Sequence, residues 1–228
     1  RETHGLTYIV SYTRSKSMDV GCSGSFGAEG CEIQFPYNTN LDRSVSGFDL
    51  PNIFAGSFVY DIPVGKGKTF STNNRFADYI IGNWQMGGIL SIHSGTPFDV
   101  TVSNGDTAGT GNGTERANLL LSNPYFQGGG PTAYLNPAAF GIPALQTYGN
   151  LGRNSLRTDS FHNLDLSLTR RFPIKERANL EFRADAFNLS NSVIFGTPQH
   201  TLGNSNFGII TGTANGERQI QFSMKLLF

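Results

Sequence analysis

The chain has 228 residues, enough for one ordinary domain with a hydrophobic core. Lysine plus arginine and aspartate plus glutamate number 17 each, so no strong net field attracts nucleic acid, which we therefore exclude as a partner. Charged residues are only 15%, below the ~25% of soluble domains, and no apolar run reaches the ~18 residues of a transmembrane helix. The 28 glycines and 18 phenylalanines are typical of a turn-rich all-β protein.

Six segments alternate apolar and polar residues, the period-2 pattern of a β-strand with different surroundings on its two faces. They are residues 6–14, 52–62, 83–93, 161–172, 177–189 and 218–228. Several approach the ~9–11 residues that cross a bilayer at a tilt. The connections between them alternate between long and shorter, which in an up-and-down meander puts every long loop on one side, as in outer-membrane barrels. The sequence therefore predicts an all-β, antiparallel, up-and-down transmembrane β-barrel segment of about six strands.

This interpretation assigns the two faces of each strand to different solvents. The apolar residues predicted to face lipid are Phe54, Phe58, Tyr60, Trp84, Met86, Leu90, Leu164, Leu166, Leu168, Leu180, Phe182, Ile220, Phe222, Met224 and Leu226. The polar residues predicted to face the lumen are Asp165, Glu181, Arg183, Asp185, Gln219, Gln221 and Lys225. Charges of both signs on neighbouring strands predict a cross-strand ladder, with contact to a plug or substrate as the alternative role.

Cys22 and Cys31 lie in the Gly/Ser-rich stretch "CSGSFGAEGC". A local disulfide formed in an oxidising compartment is the favoured interpretation, and two free thiols are the alternative. Zinc is disfavoured because no second Cys/His pair supplies the remaining ligands.

Other candidate sites carry little chemistry. In residues 104–119 only Asp106 and Glu115 carry carboxylates, nine positions apart, so an extracellular loop is favoured over a calcium site. The four histidines do not pair at metal-binding spacing, and "GKGKT" (65–69) is interpreted as a basic turn because no helical pattern follows it. We predict no catalytic residues, no metal and no cofactor, and hence not an enzyme.

Four segments resemble a known family: "FAGSFVYDIPVGKGK", "IGNWQMGGILSIHSGTPFDVTV", "YGNLGRNSLRTDSFHNLDLSLTRRFPI" and "LEFRADAFNLSNSVIFG". Over residues 41–228 the chain resembles the C-terminal barrel region of TonB-dependent outer-membrane receptors, in particular the Oar-like group with its carboxypeptidase-regulatory-like domain. The resemblance implies a 22-stranded barrel, closed by an N-terminal plug, that imports ligands with energy from an inner-membrane complex. It also implies that Phe228 is the signal read by the barrel assembly machinery.

On this resemblance, residues 1–228 are the C-terminal part of such a receptor, with the plug and the regulatory-like domain outside this chain. The long loops would be extracellular and the C-terminus periplasmic, in contact with outer-membrane lipid. Loops 15–52 and 94–159 are expected to meet a small ligand or surface partner, with siderophores, saccharides, peptides and vitamins all open. One alternative is a surface adhesion or assembly protein that uses the same barrel. A second is a soluble β-sandwich binding module, with Trp84, Leu164, Leu166, Leu168 and Phe182 buried in a core.

Overall fold

The computed structural model describes residues 2–3, 5–21, 33–35, 37–65, 67–71, 74–103, 105–111, 115–175 and 178–228. Cys22, Cys31 and His4 lie outside the described residues, so the disulfide stays a prediction. The strands are β1 (Glu2–Thr3), β2 (Leu6–Arg14), β3 (Met18–Asp19), β4 (Ser44–Val45), β5 (Asn52–Asp61), β6 (Trp84–His93), β7 (Pro97–Phe98), β8 (Thr101–Val102), β9 (Asn118–Leu119), β10 (Phe140–Gly141), β11 (Leu156–Arg157), β12 (Phe161–Lys175), β13 (Ala178–Phe187), β14 (Thr201–Leu202) and β15 (Gln219–Leu227). The helices are α1 (Arg75–Ile81) and three 3₁₀ turns at Thr39–Asp42, Pro131–Ala133 and Pro137–Ala139.

One antiparallel meander forms the main sheet, in the order β1-β2-β5-β6-β12-β13-β15. Its six long strands are the six that the alternating pattern predicts. The sheet is open, with β1 and β15 at its edges. Connections 15–51, 94–160 and 188–218 all leave one end of the sheet, and connections 62–83 and 176–177 leave the other. The predicted side-to-side division of long and shorter connections is therefore confirmed.

Three local predictions needed correction. The short β1 adds a seventh strand to the sheet. β12 continues to Lys175, three residues beyond the predicted end, because a register shift between Pro173 and Lys175 accommodates a proline that cannot donate to the ladder. The expectation that no helix follows "GKGKT" is wrong, since α1 lies in connection 62–83. At seven residues this helix is too short to show a periodic pattern.

Strand register places most of the apolar residues of the six long strands on one face of the sheet, with Ile9, Val59, Ile89 and Phe187 among the exceptions on the other face. Phe58, Gly88 and Leu166 are neighbours across β5, β6 and β12, and Tyr60, Met86 and Leu168 form the next row of that face. The register continues through β13 and β15, where Phe182 pairs with Met224. All fifteen residues predicted to face lipid share this apolar face, and all seven predicted lumen residues share the opposite, polar face. Their contact with lipid and lumen stays a prediction.

The buried core of the described chain does not belong to the sheet. It lies at the end of the sheet from which the long connections leave. Its main cluster comes from connection 94–160: Phe98, Val100, Val102, Ala117, Leu135, Ala139, Phe140, Leu151 and Leu156. Leu202 and Phe207 of connection 188–218 pack against it, and β14 pairs in parallel with β8. Ile194 and Ile210 of connection 188–218 are also buried. We call the described parts of connections 15–51, 94–160 and 188–218 the cap. Segments expected to be surface loops thus form a packed subdomain.

Candidate functional site

Three ion pairs join two connections of the cap that are far apart in sequence. Each pair takes its arginine from connection 94–160 and its aspartate from connection 15–51. The pairs are Arg116–Asp42, Arg153–Asp19 and Arg157–Asp49. Because each spans 74 or more residues, together they fix the position of one connection against the other.

The Arg116–Asp42 pair lies in the interior of the cap, with side-chain exposures of 6% and 0%. Arg116 Nη2 donates to Asp42 Oδ1 over 2.7 Å, and its Nε donates to the carbonyl of Leu151 over 3.0 Å. The second carboxylate oxygen of Asp42 accepts from the backbone N–H of Phe35 (2.9 Å). A buried pair with additional hydrogen bonds tolerates its desolvation, whereas loss of one partner leaves an uncompensated charge. This pair is therefore the most sensitive point of the cap.

Arg153 and Arg157 belong to the "GNLGRNSLR" motif. Arg153 donates to the Asp19 carboxylate and, through Nε, to the carbonyl of Asp42 (3.1 Å). Arg157 Nη2 donates to Asp49 Oδ2 over 2.5 Å, and its Nη1 donates to the carbonyl oxygens of Asp49 and Gly95, both over 2.9 Å. The role of the motif here is therefore to hold connection 15–51 against the end of the sheet.

The folded cap shifts the pKa values of two of its aspartates, Asp99 and Asp19, in opposite directions. Burial raises the pKa of Asp99 above its ordinary value of 3.8, although Arg116, His200 and Arg153 lie close enough to oppose that shift. Burial also acts to raise the pKa of Asp19, but hydrogen bonds from Ser46 and the Gly21 N–H, with Arg153 alongside, outweigh it and lower that pKa. The ionised form of Asp99 thus destabilises the folded cap, whereas the ionised form of Asp19 stabilises it.

A cleft of about 480 Å³ opens on the surface of the cap. Tyr125 and Tyr134 meet edge to face in it, with ring centroids 5.5 Å apart. Both hydroxyl groups donate to the carbonyl of Arg157 (3.2 Å each), and the Tyr134 hydroxyl also lies 3.3 Å from Asp159 Oδ1. Phe126, with 44% of its side chain exposed, lies at the edge of the cleft. Aromatic faces beside a few fixed polar groups are the usual composition of a small-molecule site.

The protonation of the cleft is set by its surroundings. Desolvation, reinforced by the negative charge of Asp159, raises the pKa of Tyr134 far above its ordinary value. Desolvation also raises the pKa of Tyr125. Both phenols therefore stay neutral hydrogen-bonding groups, and Asp159 and Arg157 supply the charge at this site.

The charged residues of the polar sheet face pair among themselves. Arg171 of β12 faces Glu181 of β13 across the sheet, with Nε 2.6 Å from Oε2. Arg183 pairs with Asp185 two residues along the same strand (2.8 Å). Of the predicted cross-strand ladder the structure shows one pair across two strands, while the second pair lies within a strand. A groove of about 410 Å³ runs over this face, lined in part by Ser57, Ser167, Asp165, Arg183 and Asp185.

Other residues singled out from the sequence do not assemble into a site. His93 stacks on Phe161 with centroids 4.7 Å apart, while His162 lies on the apolar face beside Ile92. The N–H groups of Gly111 and Thr110 donate to the Asp106 carboxylate (2.8 and 2.7 Å), and the first of these lowers the pKa of Asp106. Within the described residues, no group of three or more His, Cys, Asp or Glu side chains is placed to hold a metal ion.

Comparison with known proteins identifies the sheet. A family model described as an outer membrane beta barrel domain matches residues 1–221. The chain belongs to this family. No curated protein and no solved structure matches it. Among the described residues, no helix is long and apolar enough to cross a membrane.

Membership of the outer-membrane β-barrel family confirms the predicted all-β fold and the location in the bacterial outer membrane. The open sheet is part of a barrel wall in contact with outer-membrane lipid. The soluble β-sandwich interpretation is thereby replaced. It required a core around Trp84, Leu164 and Phe182, whereas these side chains are only partly buried and lie on one face of a single sheet.

Sequence reasoning missed the three arginine–aspartate pairs and the cleft. The sequence carried no signal for the pairs, because connection 94–160 also contains Asp99, Asp106 and Asp159, and connection 15–51 also contains Lys16 and Arg43. Sequence reasoning also missed Arg170, which continues the lipid-facing series Leu164, Leu166 and Leu168 and so stands at an apolar-face position. A cation in such a series was a visible anomaly.

Proposed function

We propose that this chain is the wall and ligand-binding cap of an Oar-like TonB-dependent receptor, which imports a small ligand across the outer membrane. Its partners would be a plug domain, the inner-membrane energy-coupling complex and, through Phe228, the barrel assembly machinery. The cleft around Tyr134 carries the proposal, because it combines aromatic faces, neutral phenols and a carboxylate on the cap. The order of the four quoted motifs supports the receptor family.

The cap is built as a preorganised surface rather than as mobile loops. Arg157 connects the ion pair to the cleft, because its guanidinium pairs with Asp49 while its carbonyl accepts hydrogen bonds from both cleft tyrosines. The ion pair that holds connection 15–51 therefore also positions the cleft. Preorganisation of this kind raises affinity because less conformational entropy is lost on binding.

Accumulation of labelled compounds by cells tests the proposal. Cells expressing the full-length protein are offered a ferric siderophore, cobalamin, a maltooligosaccharide and an oligopeptide, with and without an uncoupler of the inner membrane. Energy-dependent accumulation of one compound is expected, with loss in a Tyr134→Ala variant and retention in a Tyr37→Ala control, whose ring is exposed on the cap outside the cleft. Binding that the uncoupler does not change would instead support the adhesion or assembly protein, and no binding of any compound would remove the receptor proposal.

The orientation in the membrane is a separate part of the proposal, with the cap extracellular and the C-terminus periplasmic. Leu145 in the cap is 85% exposed, and Phe70 at the opposite end of the sheet is 63% exposed. In a Cys22→Ser/Cys31→Ser background, a membrane-impermeant maleimide should label Leu145→Cys on intact cells but label Phe70→Cys only after the outer membrane is opened. The reverse pattern would invert the assigned orientation.

A further inference from the structure

The helix α1 packs on the apolar face of the sheet, at the end opposite the cap. Trp84 Nε1 donates to the carbonyl of Ile80 over 3.1 Å, and Arg170 donates to the carbonyls of Ile80 and Tyr79 through its two terminal nitrogens. The Tyr79 ring lies 5.9 Å from the ring of Phe172. Because Trp84, Arg170 and Phe172 all occupy apolar-face register positions, the C-terminal turn of α1 lies on the side of the sheet that faces lipid.

This contact accounts for a cation at a lipid-facing position. Arg170 is only 3% exposed, and its guanidinium lies 4.3 Å from the Phe172 ring centroid and 5.7 Å from that of Trp84. A bare arginine facing lipid costs roughly 2–4 kcal/mol at the bilayer midplane and less near the interface. Here the last carbonyls of α1, which carry the negative end of the helix dipole, enclose the charge. Arg170 thus holds the helix against the wall.

Beside its contact with the sheet, α1 presents an apolar and exposed side that begins at Tyr79. Phe76, Tyr79 and Ile80 stand at i, i+3 and i+4 and have exposures of 72%, 52% and 49%. Asp78 lies on the opposite side of the helix, where its carboxylate accepts from Ser71 Oγ (3.3 Å). Asn74 caps the N-terminus by accepting from the N–H groups of Phe76 and Ala77. A seven-residue helix with one apolar and one polar side is thus fixed to the outer wall.

The position of α1 along the strands places it at the edge of the apolar band. From Trp84 to Ile92 the apolar face of β6 extends over eight residue steps, about 27 Å at ~3.4 Å per residue. At the ~40° tilt of barrel strands this is about 21 Å along the membrane normal, close to the ~25 Å apolar band of outer-membrane barrels. Trp84, Tyr79 and Arg170 therefore lie where the hydrocarbon ends, the level at which aromatic girdles are found.

We propose that α1 is an interfacial membrane anchor. Its apolar side, Phe76, Tyr79 and Ile80, inserts at the boundary between headgroups and acyl chains of the leaflet at the shorter-connection end of the barrel, and the half-buried Asp78 lies on the side away from the acyl chains. The occupant is the phospholipid surface, since the exposed side of α1 continues the lipid-facing surface of a family that lives in a bilayer. The proposal depends on membership of the barrel family and not on transport.

Collision accessibility of a nitroxide label tests this directly. The full-length protein is reconstituted in phosphatidylethanolamine/phosphatidylglycerol vesicles, with Cys22→Ser and Cys31→Ser as background and the label at Phe76→Cys, Ile80→Cys or Asp78→Cys. Positions 76 and 80 should be more accessible to oxygen than to a water-soluble nickel chelate, and position 78 should show the reverse. Equal accessibility at all three positions, or immobilised label at 76 shielded from both reagents, would overturn the proposal in favour of a water-exposed or protein-covered helix.

A second measurement places no label on α1 and covers the case in which a labelled variant misfolds. Trp84 contacts α1, and the emission lost in a Trp84→Phe variant of the full-length protein reports this residue alone. Its fluorescence should be quenched more by lipids brominated near the headgroup than by lipids brominated near the acyl end. Quenching by aqueous acrylamide alone, or equal quenching by both brominated lipids, would contradict an interfacial position.

Discussion

The buried pair Arg116–Asp42 offers the sharpest test of how the cap is held together. In Asp42→Ala the guanidinium of Arg116 stays buried without its carboxylate, and the N–H of Phe35 loses its acceptor. Loss of one partner of a buried pair costs about 3–5 kcal/mol. That free energy corresponds to a rise of roughly 150- to 4,000-fold in the fraction of molecules with an open cap.

Hydrogen exchange read by mass spectrometry on the full-length protein in vesicles measures that fraction. Peptides covering 94–160 should lose protection in Asp42→Ala, while β12 and β13 keep theirs. The matched control is Glu181→Ala, which breaks the Arg171–Glu181 pair, and because Arg171 is 69% exposed solvent screening limits the loss to about 0–1 kcal/mol.

A second variant separates charge burial from a general loss of contacts. Asp42→Ala combined with Arg116→Met removes both charges, so the double variant should open less often than Asp42→Ala alone. The reasoning is refuted if the double variant loses as much cap stability as the Asp42→Ala and Arg116→Met variants lose together. It is also refuted if peptides covering 94–160 exchange no faster in Asp42→Ala than in the Glu181→Ala control.

Two further predictions concern the same subdomain. A methyl group at Gly149 would overlap the carbonyl of Arg116, so Gly149→Ala should destabilise the cap by about 1–3 kcal/mol in the same exchange assay. The control is Gly152→Ala, whose added methyl group would lie at an ordinary contact distance from Ser155 and should change stability little. Because the pKa of Asp99 is raised in the folded state, its contribution to stability falls as the pH rises from about 3.8 through that higher pKa. At neutral pH, the cap of an Asp99→Asn variant should therefore exchange more slowly than the cap of the native chain. Below the ordinary carboxyl pKa the two should exchange at the same rate. Equal exchange rates at every pH would contradict this.

The strands were predictable because their signal is local. Period-2 alternation encodes which residues share a face, and a one-residue slip of register would put every apolar side chain on the wrong side. The six long strands therefore end within a few residues of their predicted bounds. β12 differs most, since a register shift between Pro173 and Lys175 lets the strand continue three residues beyond its alternating segment.

The site was predictable only in part. "GNLGRNSLR" marked Arg153 and Arg157 as members of a motif, but nothing near them in sequence named Asp19 or Asp49, which lie 134 and 108 residues away. Tyr125 and Tyr134 stand in no periodic sequence pattern, because the backbone that brings them together is irregular. Only 3.6- or 2-residue periods are visible along a chain, and irregular segments have neither.

The sequence by itself determined the β-class, the two-sided strands and the end of the sheet at which the long connections lie, because these depend on neighbouring residues and on chain length. Tertiary structure alone decided that those connections pack into a cap with the buried core. It likewise decided which arginine meets which aspartate, and that α1 encloses Arg170 on the lipid-facing wall. The physical reason is that burial of a charge or an apolar group depends on what covers it, and here the covering groups are mostly tens of residues away.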